Sequence, residues 1–172
     1  SVKAYVALRL AGLGVDDPRI VQLRDRILAL GGIQAANSYV KVNLSLFGLY
    51  PREFCPSIPP EVALLPFDFL YQMSSWTRAI VISLSLVHAA DPQRPVPFGF
   101  NLDELWLSGV SGAFRKDDAW FSWRNAFLAV DRLLKWWERH GSKSIRRRSI
   151  ENARDWMVER LHDSDGLGAI YP

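Results

Sequence analysis

An indole stands at the start of an apolar run in Met73-Ser74-Ser75-Trp76-Thr77-Arg78-Ala79-Ile80-Val81-Ile82. An aromatic so placed either packs in a core or lines the wall of a cavity, and the residues alone keep both readings open. The other chemistry-bearing side chains are sparser. His88, His140 and His162 each lack a Cys or His at i+3 or i+4, so none begins a metal site. The pairs Asp16-Asp17 and Asp117-Asp118 fall in turns, where solvation is the expected fate. Phosphate loops, a Ser-His-Asp order and metal-ligand spacings are all absent. The single cysteine, Cys55, cannot form an internal disulfide and is expected to be a buried small hydrophobe.

Two stretches look outward. From Trp120-Phe121-Ser122-Trp123 through Phe127 to Trp136-Trp137, tryptophans sit at both ends of an apolar helix, with Arg124, Arg132, Lys135 and Arg139 able to snorkel. Such a helix either docks on its neighbours or lies in a membrane interface. Downstream, Lys143, Arg146, Arg147 and Arg148 form a basic patch suited to anionic head groups, or simply the solvated start of a helix.

Helices must position all of these residues. Helical periodicity covers residues 1–10, then Ile20, Leu23, Ile27, Leu28 and Leu30 up to Gly31-Gly32, and then about 35–47. Residues 48–60 carry four prolines and form an irregular bridge, followed by a short turn at 61–65 and a helix over about 74–89. Residues 90–118, punctuated by Pro and Gly, form a loop-rich insertion with a short helix near 102–106. Helical spacing returns over 119–140 and 144–163. The expectation is an all-α fold. A weak internal repeat aligns Ile20–Leu28 with Ile150–Val158, as in stacked helical repeats.

With 172 residues, 49% hydrophobic residues and seven tryptophans, a packed globular chain is favoured over disorder. A net charge of +3 is too small to argue for nucleic acid. The longest apolar run, 79–90, is interrupted by Ser83, Ser85 and His88 and is well short of the roughly 20 residues of a spanning helix. Both ends read as cuts through helical structure, so a fragment is expected.

Several segments are colinear with one family. These are Lys3–Leu8, Gly31-Gly32-Ile33, Gly48-Leu49-Tyr50-Pro51, Ile58-Pro59-Pro60-Glu61-Val62, Ser75-Trp76-Thr77-Arg78 and Asp131-Arg132. Together they resemble squalene-hopene cyclases and related triterpene cyclases. Trp156-Met157 begins a degenerate form of that family's glutamine-tryptophan repeat, with Arg160 where Gln is expected and Asp165-Gly166-Leu167-Gly168 lacking the terminal Trp.

The resemblance implies part of an α/α toroid (alpha-alpha barrel), residues 1–172 forming a single fragment of it. It implies an intramolecular cyclase that needs no cofactor and no metal. Trp76, Ile170, Tyr171 and Pro172 would line the substrate cavity, Tyr171 standing where Gln is common. Met73, replacing an aromatic, and Val81 would form the channel constriction. Trp120, Phe121, Trp123, Phe127, Trp136 and Trp137 would touch the membrane. The family's Asp-x-Asp-Asp acid motif does not occur, so this chain would carry no catalytic residue and the acid would lie beyond Pro172.

Squalene or a similar polyprenyl chain, a membrane surface on the cytoplasmic side and a homodimer are the implied partners, with no nucleic acid among them. The rivals are a family member acting on another prenyl chain and a non-enzymatic helical-repeat module that binds lipid or protein.

Overall fold

The computed structural model describes residues 1–66, 69–119 and 122–161. Among these are six α-helices, α1 (Val2–Leu10), α2 (Pro18–Ala29), α3 (Ser38–Leu46), α4 (Ser75–Ala90), α5 (Trp123–His140) and α6 (Lys143–Leu161). Five short 3-10 turns accompany them, with no strand among the described residues. The chain is all-α, as its periodicity demands. It divides into two units: Ser1–Pro56 with Gln93–Lys116, and Ser57–Pro92 with the described residues from Asp117 onward.

In the first unit α1 packs on α2. Asp17 starts α2 by accepting the backbone N–H of Arg19 at 2.9 Å, and Pro18 supplies the fixed φ that suits a first helical turn. The Arg19 guanidinium also grips Asp17, and these bonds hold its carboxyl down to about 2. Ile20 and Ile27, two turns apart, are the buried positions of the helix. Gly32 ends the region at φ +71°, where a Cβ would come within 2.9 Å of the Leu105 carbonyl oxygen. Expected from residue 35, the next helix begins only at Ser38. Asn37 caps it by accepting the Val40 N–H at 3.0 Å, and residues 33–35 form a separate 3-10 turn.

The Pro- and Gly-rich stretch is an insertion only in sequence. Residues 93–116 fold back into the first unit, where Leu102 and Leu105 are buried. Polar side chains take the place of regular pairing there. Gln34 donates through Nε2 to the carbonyls of Leu107 and Val110 (3.0 and 3.3 Å) and accepts the Leu107 N–H at 3.3 Å. The Tyr50 hydroxyl donates to the Gly112 carbonyl at 2.9 Å, and its ring stacks on Trp106 with centroids 5.3 Å apart. Tyr5, fully buried on α1, donates to the Glu104 carboxylate and accepts from Arg9 at 3.2 Å. Burial first, and the Glu104 carboxylate second, push the Tyr5 phenol up to about 12; burial does the same for Tyr50.

The second unit is organised on Leu70, Ile82 and Ala153, with Val62, Leu86, Trp156 and Met157 packed around them. Ser149 and Ala153, four residues apart on α6, are both fully buried. Their small side chains let α6 lie close against the Pro60–Leu64 turn, its main packing partner. Ile150 and Met157, which align with buried Ile20 and Ile27 in the sequence repeat, are only half-buried. The two copies therefore bury different faces. α4 ends at Asp91, the only described non-glycine at positive φ (39°), and Pro92 prevents further helix.

Candidate functional site

Ser74 caps α4 by accepting the Thr77 N–H at 3.2 Å and sharing a hydroxyl hydrogen bond with Thr77 at 2.8 Å. That cap fixes Trp76 as the second residue of the helix, where it is 57% exposed. Beyond it, Ile82, Ser83, Ser85 and His88 are buried. At about 100° per residue, Val81 lies roughly 140° around the helix from Trp76, so the two present to different sides. Val81 and Met73, which precedes the cap, are both half-buried.

A ring that sequence reasoning passed over stands just before the cap. Tyr71, 55% exposed in the Phe69–Gln72 turn, has the Arg78 guanidinium 4.6 Å from its ring centroid. Its hydroxyl accepts from Arg160 at 3.4 Å, and Arg160 also lies 4.1 Å from the Trp156 centroid. Arg160, the residue that replaces Gln in the degenerate repeat, thus bridges α6 to the segment in front of Trp76. The signal for Tyr71 was its proximity in sequence to Trp76 and the aromatic spacing of Phe69 and Tyr71. Ile170, Tyr171 and Pro172 lie outside the described residues.

α5 is capped by Ser122, whose Oγ accepts the Asn125 N–H at 3.1 Å, so it begins at Trp123 and not near residue 119. None of its described residues is fully buried. Trp123, Phe127 and Val130 recur at helical spacing and are 74%, 70% and 51% exposed; Leu133 and Trp136 are exposed too, Trp136 about 180° around the helix from Phe127. Trp137 differs: half-buried, it donates its indole N–H to Glu61 at 3.1 Å. Asp131 ties the same helix down by accepting the Ser57 N–H at 2.7 Å and pairing with Lys135 at 2.6 Å. Trp120 and Phe121 lie outside the described residues. Of the basic patch, Lys143, Arg147 and Arg148 are exposed, whereas Arg146 is half-buried 3.9 Å from Glu61.

Among the described residues, no helix is long and apolar enough to cross a membrane, and no group of His, Cys, Asp and Glu is arranged to hold a metal ion. The arrangement offers exposed aromatic faces at the head of α4 and an apolar strip along α5.

A family model described as the squalene-hopene cyclase N-terminal domain matches residues 1–172. Over its whole length the chain is 34% identical to a squalene-hopene cyclase of Zymomonas mobilis and 35% identical to one of Bradyrhizobium diazoefficiens. It is also 32% identical to a dammaradiene synthase of Dryopteris crassirhizoma. The matched regions make up 26%, 27% and 26% of these relatives, so the chain spans about a quarter of their length.

Proposed function

Because the chain belongs to the squalene-hopene cyclase N-terminal domain family, we propose that it is the N-terminal part of an enzyme that cyclises squalene to hopene or hopanol. A proton added to a terminal alkene starts a carbocation cascade, and loss of a proton or capture of water ends it. The proton added and the proton lost make the hydrocarbon product an isomer of the substrate. In this reading the chain carries cavity wall, access channel and membrane-docking surface, the acid belonging to sequence after Pro172, and both units are parts of one α/α-toroid domain.

The observation that carries the reading is Trp76: an indole fixed by the Ser74 cap at the second position of α4 and left 57% exposed at the head of that helix. A face so presented is available to a cation, and the attraction is worth about 2 kcal/mol or more when desolvated. Ile170, Tyr171 and Pro172 would complete the wall, and Met73, just ahead of the α4 cap, and Val81, on a different side of α4 from Trp76, would narrow the channel. Trp123, Phe127 and Trp136 would dip into one leaflet together with Trp120 and Phe121, with Trp137 as the anchor that holds the helix to Glu61.

The test is incubation of the full-length protein with squalene in detergent, followed by mass spectrometry of the products. Pentacyclic hydrocarbon or alcohol is expected; the absence of any cyclised product overturns the proposal. A second reading, a non-enzymatic helical module that binds lipid, draws on the exposed strip of α5. It predicts vesicle association with no turnover.

A further inference from the structure

In the first unit a cavity of about 460 Å³ opens between the start of α3 and the returning segment 107–115. Lys41 is among its lining residues and is only 2% exposed. Burying an ammonium is costly without a compensating charge, and among the described residues no carboxylate pairs with Lys41 or lines the cavity. Among the described residues the Lys41 Nζ meets one hydrogen-bond acceptor, the Gly112 carbonyl at 3.5 Å, while the rings of Phe114 and Tyr50 stand 4.6 and 5.6 Å away. Burial lowers the affinity of Lys41 for its proton, an effect that the nearby Cys55 partly offsets. The neighbouring Gln34 amide is committed to Leu107 and Val110. Arg115, exposed, adds a second cation to the same lining, and Ala36, Val110 and Phe114 make the rest of the wall largely apolar.

We propose that this cavity binds a small anionic amphiphile, its carboxylate or phosphate head meeting Lys41 and Arg115 and its short apolar tail lying against Val110 and Phe114. The volume falls in the usual range for small-molecule sites. The inference is independent of the cyclase reading, since it concerns neither the residues nor the chemistry of that site.

Calorimetric titration of the full-length protein with octanoate, octyl phosphate, 1-octanol and inorganic phosphate tests it. At least one of the two amphiphilic anions is expected to bind ten times more tightly than octanol or inorganic phosphate, and the tighter of the two identifies the head group. Lys41→Met is expected to weaken that binding tenfold or more, and Lys41→Arg to keep it within about threefold. Ala35→Trp, at an exposed lining position, is expected to block it while leaving the fold intact. Octanol or inorganic phosphate binding as tightly as the anions, or no binding of either anion at millimolar concentration, overturns the proposal. So does unchanged binding in Lys41→Met. Should Lys41→Met fail to fold, Ala35→Trp decides, and undiminished binding by that variant overturns the proposal equally.

Discussion

Trp76 gains its significance from a cap. Ser74 closes the first turn of α4 and leaves the indole outside the packed core, where truncation removes a surface and not a core side chain. On the proposed function, Trp76→Ala in the full-length protein is therefore expected to leave thermal unfolding unchanged and to lower squalene turnover roughly thirtyfold, the equivalent of about 2 kcal/mol. Trp76→Phe, which keeps a weaker ring, is expected to fall between. Product quantification beside a melting curve checks both; equal loss of stability and turnover would count against a role in the reaction. Two tyrosines set a pH limit on the first unit. Tyr5 and Tyr50 are raised to about 12 from an ordinary value of 10.0, so the folded state holds their protons more tightly than the unfolded chain does. The stability they contribute is fully present below pH 10 and is lost as pH rises through 10 to 12. Urea unfolding midpoints across that window should fall, and the fall should shrink in Tyr50→Phe. His88 is buried on α4, and His140 meets the Trp136 carbonyl at 3.0 Å.

α5 holds its place through two polar ties, Asp131 to Ser57 and Trp137 to Glu61, while its aromatic strip faces outward. Trp123 and Phe127, about 40° apart around the helix, present two large exposed rings on one face beside Arg124, the make-up of an interfacial helix. The double substitution Trp123→Glu and Phe127→Glu should reduce co-sedimentation with anionic vesicles at least tenfold and leave the circular dichroism melt where it was. A drop in melting temperature of several degrees would instead identify the strip as part of a packed interface. α6 works differently. Its small buried residues, Ser149 and Ala153, permit close approach to the 60–64 turn, so Ala153→Leu is expected to destabilise by about 1–3 kcal/mol through overpacking, measurable by urea denaturation. The sequence pattern could not separate these cases. Periodicity marks a helix as amphipathic, but whether the apolar side meets protein or lipid depends on partners far along the chain.

Across the molecule, the two units have separate cores, and each should answer to its own substitutions. Ile82→Ala removes a side chain with 0% exposure at the centre of the second unit and is expected to cost about 2–5 kcal/mol. Hydrogen exchange should then accelerate in α4 and α6 and hold its rate in α2; uniform acceleration would mean that the units unfold as one. Helix existence and order were legible in the residues because the signals are local: Asp17-Pro18 opens α2, Ser74 opens α4, and glycine follows α2, whereas the Asn37 cap sets the start of α3 three residues later than its periodicity implied. The all-α class and the family resemblance could be read directly from such patterns. The return of residues 93–116 into the first unit could not, for it rests on Gln34, Lys41 and Tyr50 bonding to backbone 62 to 76 residues away. Nor could the inward turn of Trp137 among outward-facing neighbours, or the burial of Lys41 on a helix with ordinary spacing. Propensity, capping and periodicity act within a few residues and are written in the chain. Which side chains end up covered, paired or presented follows from contacts between distant segments, which form only when those segments fold together.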